Sequence, residues 1–138
     1  MRVAKCKWLI RAFVVLSLYP TFVLSYVWGA CFLSDFQGGK HGQLDAYRHT
    51  LASAVVAYTL SPGVVGLISR LMEHNSTPDN LMDTHNNAIG ASIGARANSL
   101  SEIKYSVFNK VKDGTENAVN RNQTTWLARP IWANSLFW

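Results

Sequence analysis

From Ala12 to Leu33 the chain carries no charged residue, and twenty-two mostly apolar side chains follow one another. No other stretch narrows the available folds so much. At about 1.5 Å rise per residue, such a run wound as a helix reaches across a hydrocarbon layer of roughly 30 Å. Arg2, Lys5, Lys7 and Arg11 precede it, and the first acidic residue of the chain is Asp35. A basic start, a long apolar run and then a polar domain is the pattern of a signal peptide or signal anchor, with the amino terminus kept in the cytoplasm. Trp28-Gly29-Ala30-Cys31 comes nearest to a cleavage or lipoprotein site, although the run is longer than the roughly 7–15 apolar residues of an ordinary signal sequence. Uncleaved anchor, cleaved signal and lipoprotein therefore all stay open. The expected organisation is a signal anchor or signal peptide over 1–33, a glycine-rich linker over 34–42 and a helical domain over 43–138.

This topology changes the meaning of the charge. The chain has a formal net charge of +5, but residues 34–138 hold nine Lys/Arg against all eight acids. The basic character is mainly a membrane-orientation signal, with no concentrated basic face in the domain. The expected partner is the membrane, and nucleic acid is not expected. Of the two cysteines, Cys6 precedes the apolar run and Cys31 lies at its far end, so the domain beyond it has no disulfide framework and no thiolate metal site.

Helical signals dominate the rest. Tyr47, Leu51, Ala54, Val55 and Tyr58 form an apolar stripe, so Gln43 to Leu60 reads as one helix. Ser61-Pro62 opens a second, to about His74, and Thr77-Pro78 a third, to about Asn98. Ser99-Leu100-Ser101-Glu102 fits a capping box and starts a fourth, which Asp113-Gly114 ends. No segment alternates with a period of two between turn signals, so strands are not expected. The fold class is all-α, a small bundle of about four helices after the amino-terminal one. Trp126, Trp132, Phe137 and Trp138 are expected to pack on the bundle, the membrane interface being their alternative.

Two polar segments fall on these helices. Asp45-Ala46-Tyr47-Arg48-His49 lies on the first, Met82-Asp83-Thr84-His85-Asn86-Asn87 on the third. Asp45 and His49 are four apart and share a face, as do Asp83 and Asn87. Ala52, Ser53 and Ala57 on one helix and Gly90, Ala91 and Gly94 on the other offer little bulk, so the two helices can meet closely with the polar clusters at one end of the contact. Buried polar side chains of this kind satisfy one another or do chemistry.

Two chemistries suit these residue types. In a hydrolase His49 is the general acid or base, Asp45 or Asp83 orients it, and Arg48 holds an anionic group, while Asp45, His85, Asn86 and Asn87 line the site. No Gly-x-Ser-x-Gly elbow and no cysteine nucleophile is present, so water is the attacking group. In a metal site Asp45, His49 and Asp83 supply a carboxylate–imidazole set, suited to magnesium, manganese or calcium slightly better than to zinc. The competing reading is structural: Asp45 as a helix-start carboxylate, Arg48 and Asp83 as an ion pair, and the asparagines bridging helices. Glu73-His74 and His41 are weaker candidates for the cluster.

The two segments, in order and with Ala88-Ile89-Gly90 after the second, resemble a bacterial domain family of unknown function. Its pattern is an acid-Ala-aromatic-Arg-His motif, a helical spacer, then Met-Asp-x-x-Asn-Asn-Ala-x-Gly. The resemblance covers about residues 40–98. It implies a helical domain found in exported and toxin-like proteins, with Arg48, His49, Asp83, Asn86 and Asn87 as the positions that matter, and it carries no activity. The expectation is an envelope protein, with its domain in the periplasm or exported, that hydrolyses peptidoglycan or lipid. The alternative is a non-enzymatic inhibitor or assembly partner whose polar cluster only locks two helices.

Overall fold

A computed structural model describes residues 2–72 and 76–134 of the chain. Its elements are α1 (Arg2–Phe32), α2 (Gln43–Thr59), α3 (Pro62–Met72), α4 (Pro78–Gly94), α5 (Leu100–Lys112), β1 (Thr115–Glu116), β2 (Thr125–Trp126) and the single turn α6 (Arg129–Trp132). The expected helices are present, and α2 is the hub, touching α1, α3, α4, α5 and β2. Tyr47, Leu51, Ala54 and Val55 of the expected stripe are fully buried, while Tyr58 at its end is exposed. They meet Ile103, Val107 and Val111 of α5, one apolar face at four-residue spacing.

The amino-terminal helix departs from the expectation of a membrane segment standing apart from the domain. Among the described residues no helix is long and apolar enough to cross a membrane. Ser17, Tyr19, Pro20, Thr21, Ser25 and Tyr26 dilute the apolar run, and its second half is used elsewhere. Val23, Val27, Ala30 and Cys31 are buried in the same core as Tyr47 and Leu51. Tyr19 hydrogen-bonds Thr59 at 2.6 Å, and the Tyr26 hydroxyl donates to the Leu100 carbonyl at 2.8 Å. Among the described side chains of the first half of α1 and just beyond it, Phe13, Leu16 and Leu18 are exposed.

The glycine-rich segment expected as a linker is packed. Gly38, at φ +77°, and Gly42 lie against each other and against the Trp132 ring, where any Cβ would come within 3 Å of other atoms. Leu44 and Asp45 donate backbone N–H groups to Gln37 and Gly38 at 2.8 and 3.1 Å. Of the terminal aromatics, Trp126 joins the core and Trp132 donates its indole N–H to Leu127 at 2.7 Å. Phe137 and Trp138 lie outside the described residues, as does Glu73-His74.

Helix α4 ends at Gly94, sooner than the periodicity suggests. The Asn98 N–H is taken by the Glu102 carboxylate at 2.9 Å, and Ser99, in extended backbone, caps the next helix by accepting the Glu102 N–H at 3.1 Å. One feature runs against the all-helical expectation: β1 and β2 pair in parallel, Thr115 with Thr125 and Glu116 with Trp126. Two residues a side are too short for any periodicity to announce.

Helices α2 and α4 run parallel and very close. A Cβ added at Gly90 would stand 2.2 Å from the Thr50 carbonyl oxygen, and one at Gly94 2.1 Å from that of Ala54. The small residues thus bring backbone against backbone, and they place Asp45 and His49 opposite Asp83.

Candidate functional site

Asp45 lies in the first turn of α2 and is buried. One carboxylate oxygen accepts the His41 backbone N–H at 2.6 Å. The other takes an Arg48 guanidinium N–H and lies 3.4 Å from His49 Nε2. The same Nε2 is 3.5 Å from Asp83 Oδ2 on α4. The imidazole therefore sits between two carboxylates from two helices. It is not sealed in: His49 keeps 26% of its side-chain surface and Asp83 18%.

Electrostatics follow from this geometry. Burial penalises the His49 imidazolium, but the hydrogen bond to Asp45 and the charges of Asp83 and Asp45 outweigh it, with Arg48 opposing, and the pKa rises above its ordinary value. For Asp45 burial favours the neutral acid, yet His49, Arg48 and the His41 N–H overcome it, and the pKa falls. The two carboxylates on either side of Nε2 thus favour the imidazolium form of His49, with the Arg48 guanidinium working against it.

Arg48 is more constrained than an anion-binding arginine needs to be. Besides Asp45 it donates to the Gly39 carbonyl at 3.1 Å, and its guanidinium lies 5.5 Å from the Trp28 ring centroid. It fastens α1, the glycine turn and α2 together. Its partner is Asp45, three residues before it, and not the Asp83 proposed for it in a structural pair.

The second motif divides. Asp83 faces the His49 cluster, whereas His85, Asn86 and Asn87 brace other parts of the fold. Asn86, fully buried, donates Nδ2 to the Thr125 carbonyl at 2.7 Å and accepts the Thr125 N–H on Oδ1 at 3.0 Å. The neighbours of Thr125 bond to β1 through Thr124 O and Trp126 O, so the N–H and C=O of Thr125 point the other way, onto Asn86. One side-chain amide thus serves as the missing strand partner. Asn87 accepts the Ser53 hydroxyl at 2.7 Å and donates to Ser69 at 3.1 Å, joining α2, α3 and α4. His85 Nε2 is 2.7 Å from the Gln123 carbonyl.

Asp45, His49 and Asp83 also have the makings of a cation site. One ligand atom from each lies within 4.8 Å of the others. Tetrahedral ligands about 2.1 Å from a cation stand about 3.4 Å apart, which fits the 3.4 and 3.5 Å separations around Nε2. By that spacing zinc or manganese suits the set at least as well as the larger calcium. Sequence reasoning undervalued His41: its left-handed backbone, φ 65°, turns its N–H onto Asp45. Nothing in the residue pattern connects Trp28 or Gly39 with the cluster, since no local signal joins α1 or the glycine turn to Arg48.

The family model described as Domain of unknown function (DUF6973) matches residues 33–119. The match spans both polar motifs and most of the bundle, and the chain belongs to that family. No curated protein and no solved structure matches the chain at the level required of a relative.

Proposed function

We propose that this chain is a bacterial envelope protein that hydrolyses an envelope substrate, peptidoglycan or lipid, at Asp45, His49 and Asp83. The observation that carries the reading is the placement of His49 Nε2 between two carboxylates while its ring stays partly open to solvent. A histidine whose protonated form is favoured in this way is a proton donor for a leaving group, and Asp83, more exposed than Asp45, is the acceptor for the proton of an attacking water. Asp45, buried and held by Arg48 and His41, orients the ring. A divalent cation on the same three atoms is the competing arrangement and would supply a polarised water. It requires neutral His49, so the two arrangements have opposite pH dependence.

In this reading the amino-terminal half of α1 enters the membrane, drawn by Arg2, Lys5, Lys7 and Arg11 toward anionic lipid and by the exposed Phe13, Leu16 and Leu18 toward its interior. The segment is retained, because cleavage near Ala30 would strip Val23 and Val27 from the core.

The test is release of soluble product from purified peptidoglycan and from phospholipid vesicles by the full chain, with and without a chelator. Product from one substrate that disappears in His49→Gln supports the reading, and loss on chelation selects the cation arrangement. No product from either substrate, in a chain that folds, leaves the non-enzymatic envelope factor as the better account.

A further inference from the structure

A second site stands apart from the His49 cluster. Arg96 just past α4, Lys110 in the last turn of α5 and Arg121 in the loop before β2 line one cleft of about 430 Å³, together with Ser92, Asn122 and the apolar Ala88, Ile89 and Ile93. A shallower groove of about 290 Å³ continues it between α4 and α5, again past Arg96 and Lys110. At about 1.5 Å per residue, Arg96 is roughly 20 Å along the α4 direction from Asp83. We propose that this cleft binds the phosphate group of an organic phosphate ester.

The three cations come from separate segments, which is why no basic face was visible in the chain. None of them has an ion-pair partner among the described residues. The one carboxylate on the grooves, Glu102, is occupied by the backbone and side-chain N–H groups of Asn98 at 2.9 and 3.2 Å. A helix carboxy terminus accounts for Lys110 and Arg96 taken singly. It accounts neither for Arg121 nor for all three lining one concavity, where the single Glu102 carboxylate on the continuing groove offsets only part of their mutual repulsion and an entering anion offsets more.

The cleft is also built. Thr124, fully buried, donates its hydroxyl to the Lys110 carbonyl at 2.8 Å, and Gln123 donates its side-chain amide to the Asp113 carbonyl at 2.9 Å. His85 and Asn86 grip the same segment from α4. Arg121 is thus carried on a loop fastened to the helices that bear the other two cations. Two guanidinium groups and an ammonium match the three oxygens of a phosphate ester, and Ile89 and Ile93 give the ester's organic part an apolar wall.

The test uses the full chain in neutral detergent and isothermal calorimetry with glycerol phosphate and with a short-chain phosphatidylglycerol below its micelle concentration. Binding of either is the expected result. Similar affinity for both marks a soluble phosphate ester as the ligand, and clear preference for the acylated probe marks a lipid headgroup. Arg96→Gln and Arg121→Gln, both at exposed positions, should each weaken binding about tenfold or more, as loss of a charge-assisted hydrogen bond does, and together abolish it. Circular dichroism verifies that the double variant is folded. Binding unchanged in the double variant overturns the proposal, as does binding of neither probe. Binding of a random single-stranded oligonucleotide with neither probe bound overturns it equally.

Discussion

Truncating Asn86 to alanine removes both partners of the Thr125 backbone at once. The side chain is fully buried, and Thr125 keeps only 7% of its surface. Its N–H and C=O would be left facing a small apolar hole, because the β1 ladder is on their other side. A buried backbone group deprived of its partner costs about 1–3 kcal/mol, so Asn86→Ala should cost about 2–6 kcal/mol, less whatever an entering water recovers. That is a large part of the roughly 5–15 kcal/mol available to a domain of this size. Urea denaturation followed by tryptophan fluorescence measures it, with the slope unchanged if the transition stays two-state. Asn87→Ala is the internal comparison: its partners include the Ser53 and Ser69 hydroxyls, which can rotate to new partners, so it should cost clearly less. A loss below about 1 kcal/mol for Asn86→Ala, or an equal loss for the two variants, would refute the reasoning.

The remaining predictions concern packing, pH and the amino terminus. Gly94→Ala drives a methyl group into the Ala54 carbonyl and should destabilise by about 1–3 kcal/mol or more, read as a lowered melting temperature; no change would mean that α2 and α4 are not in backbone contact. His49, its pKa raised, adds stability that is complete below its ordinary value of 6.5 and drains away as pH rises through the folded value. Asp45, its pKa lowered, adds stability that is complete above 3.8 and is lost as pH falls through the folded value. The cluster's contribution should therefore peak between about pH 4 and pH 6, and melting temperatures of His49→Gln across pH should lack the alkaline decline. Deleting residues 1–30 removes Val23 and Val27 from the core and should cost at least about 3 kcal/mol, so a shortened chain that melts with the full one would contradict the packing of α1.

Helix positions were legible in the sequence because caps and apolar stripes are local. The close approach of α2 and α4 was legible too, since Gly90, Gly94 and Ser53 mark a low surface on each helix. The division of labour within Met82–Asn87 was not. Asp83, Asn86 and Asn87 look alike as polar residues, and what separates them is Thr125, some forty residues away, offering its backbone to only one. For the same reason the sequence leaves Arg48 between an anion-binding group and an ion-pair partner of Asp83, with no local sign that Gly39 and Trp28 hold it. The apolar run was misleading as a separate unit, because hydropathy cannot distinguish a helix face that meets lipid from one that meets Tyr47 and Leu51.

The proposed hydrolysis needs the partly open His49 and Asp83 for chemistry, while Asn86 and Asn87 hold the fold. Asp83→Asn keeps the shape of the side chain and removes the charge beside His49. Product release from the envelope substrate and the melting temperature, measured on one preparation of this variant, test the claim most directly. The account predicts activity down by about a hundredfold or more with the melting temperature within a few degrees of wild type. Activity that falls only in step with stability, or survives intact in a stable variant, would contradict it.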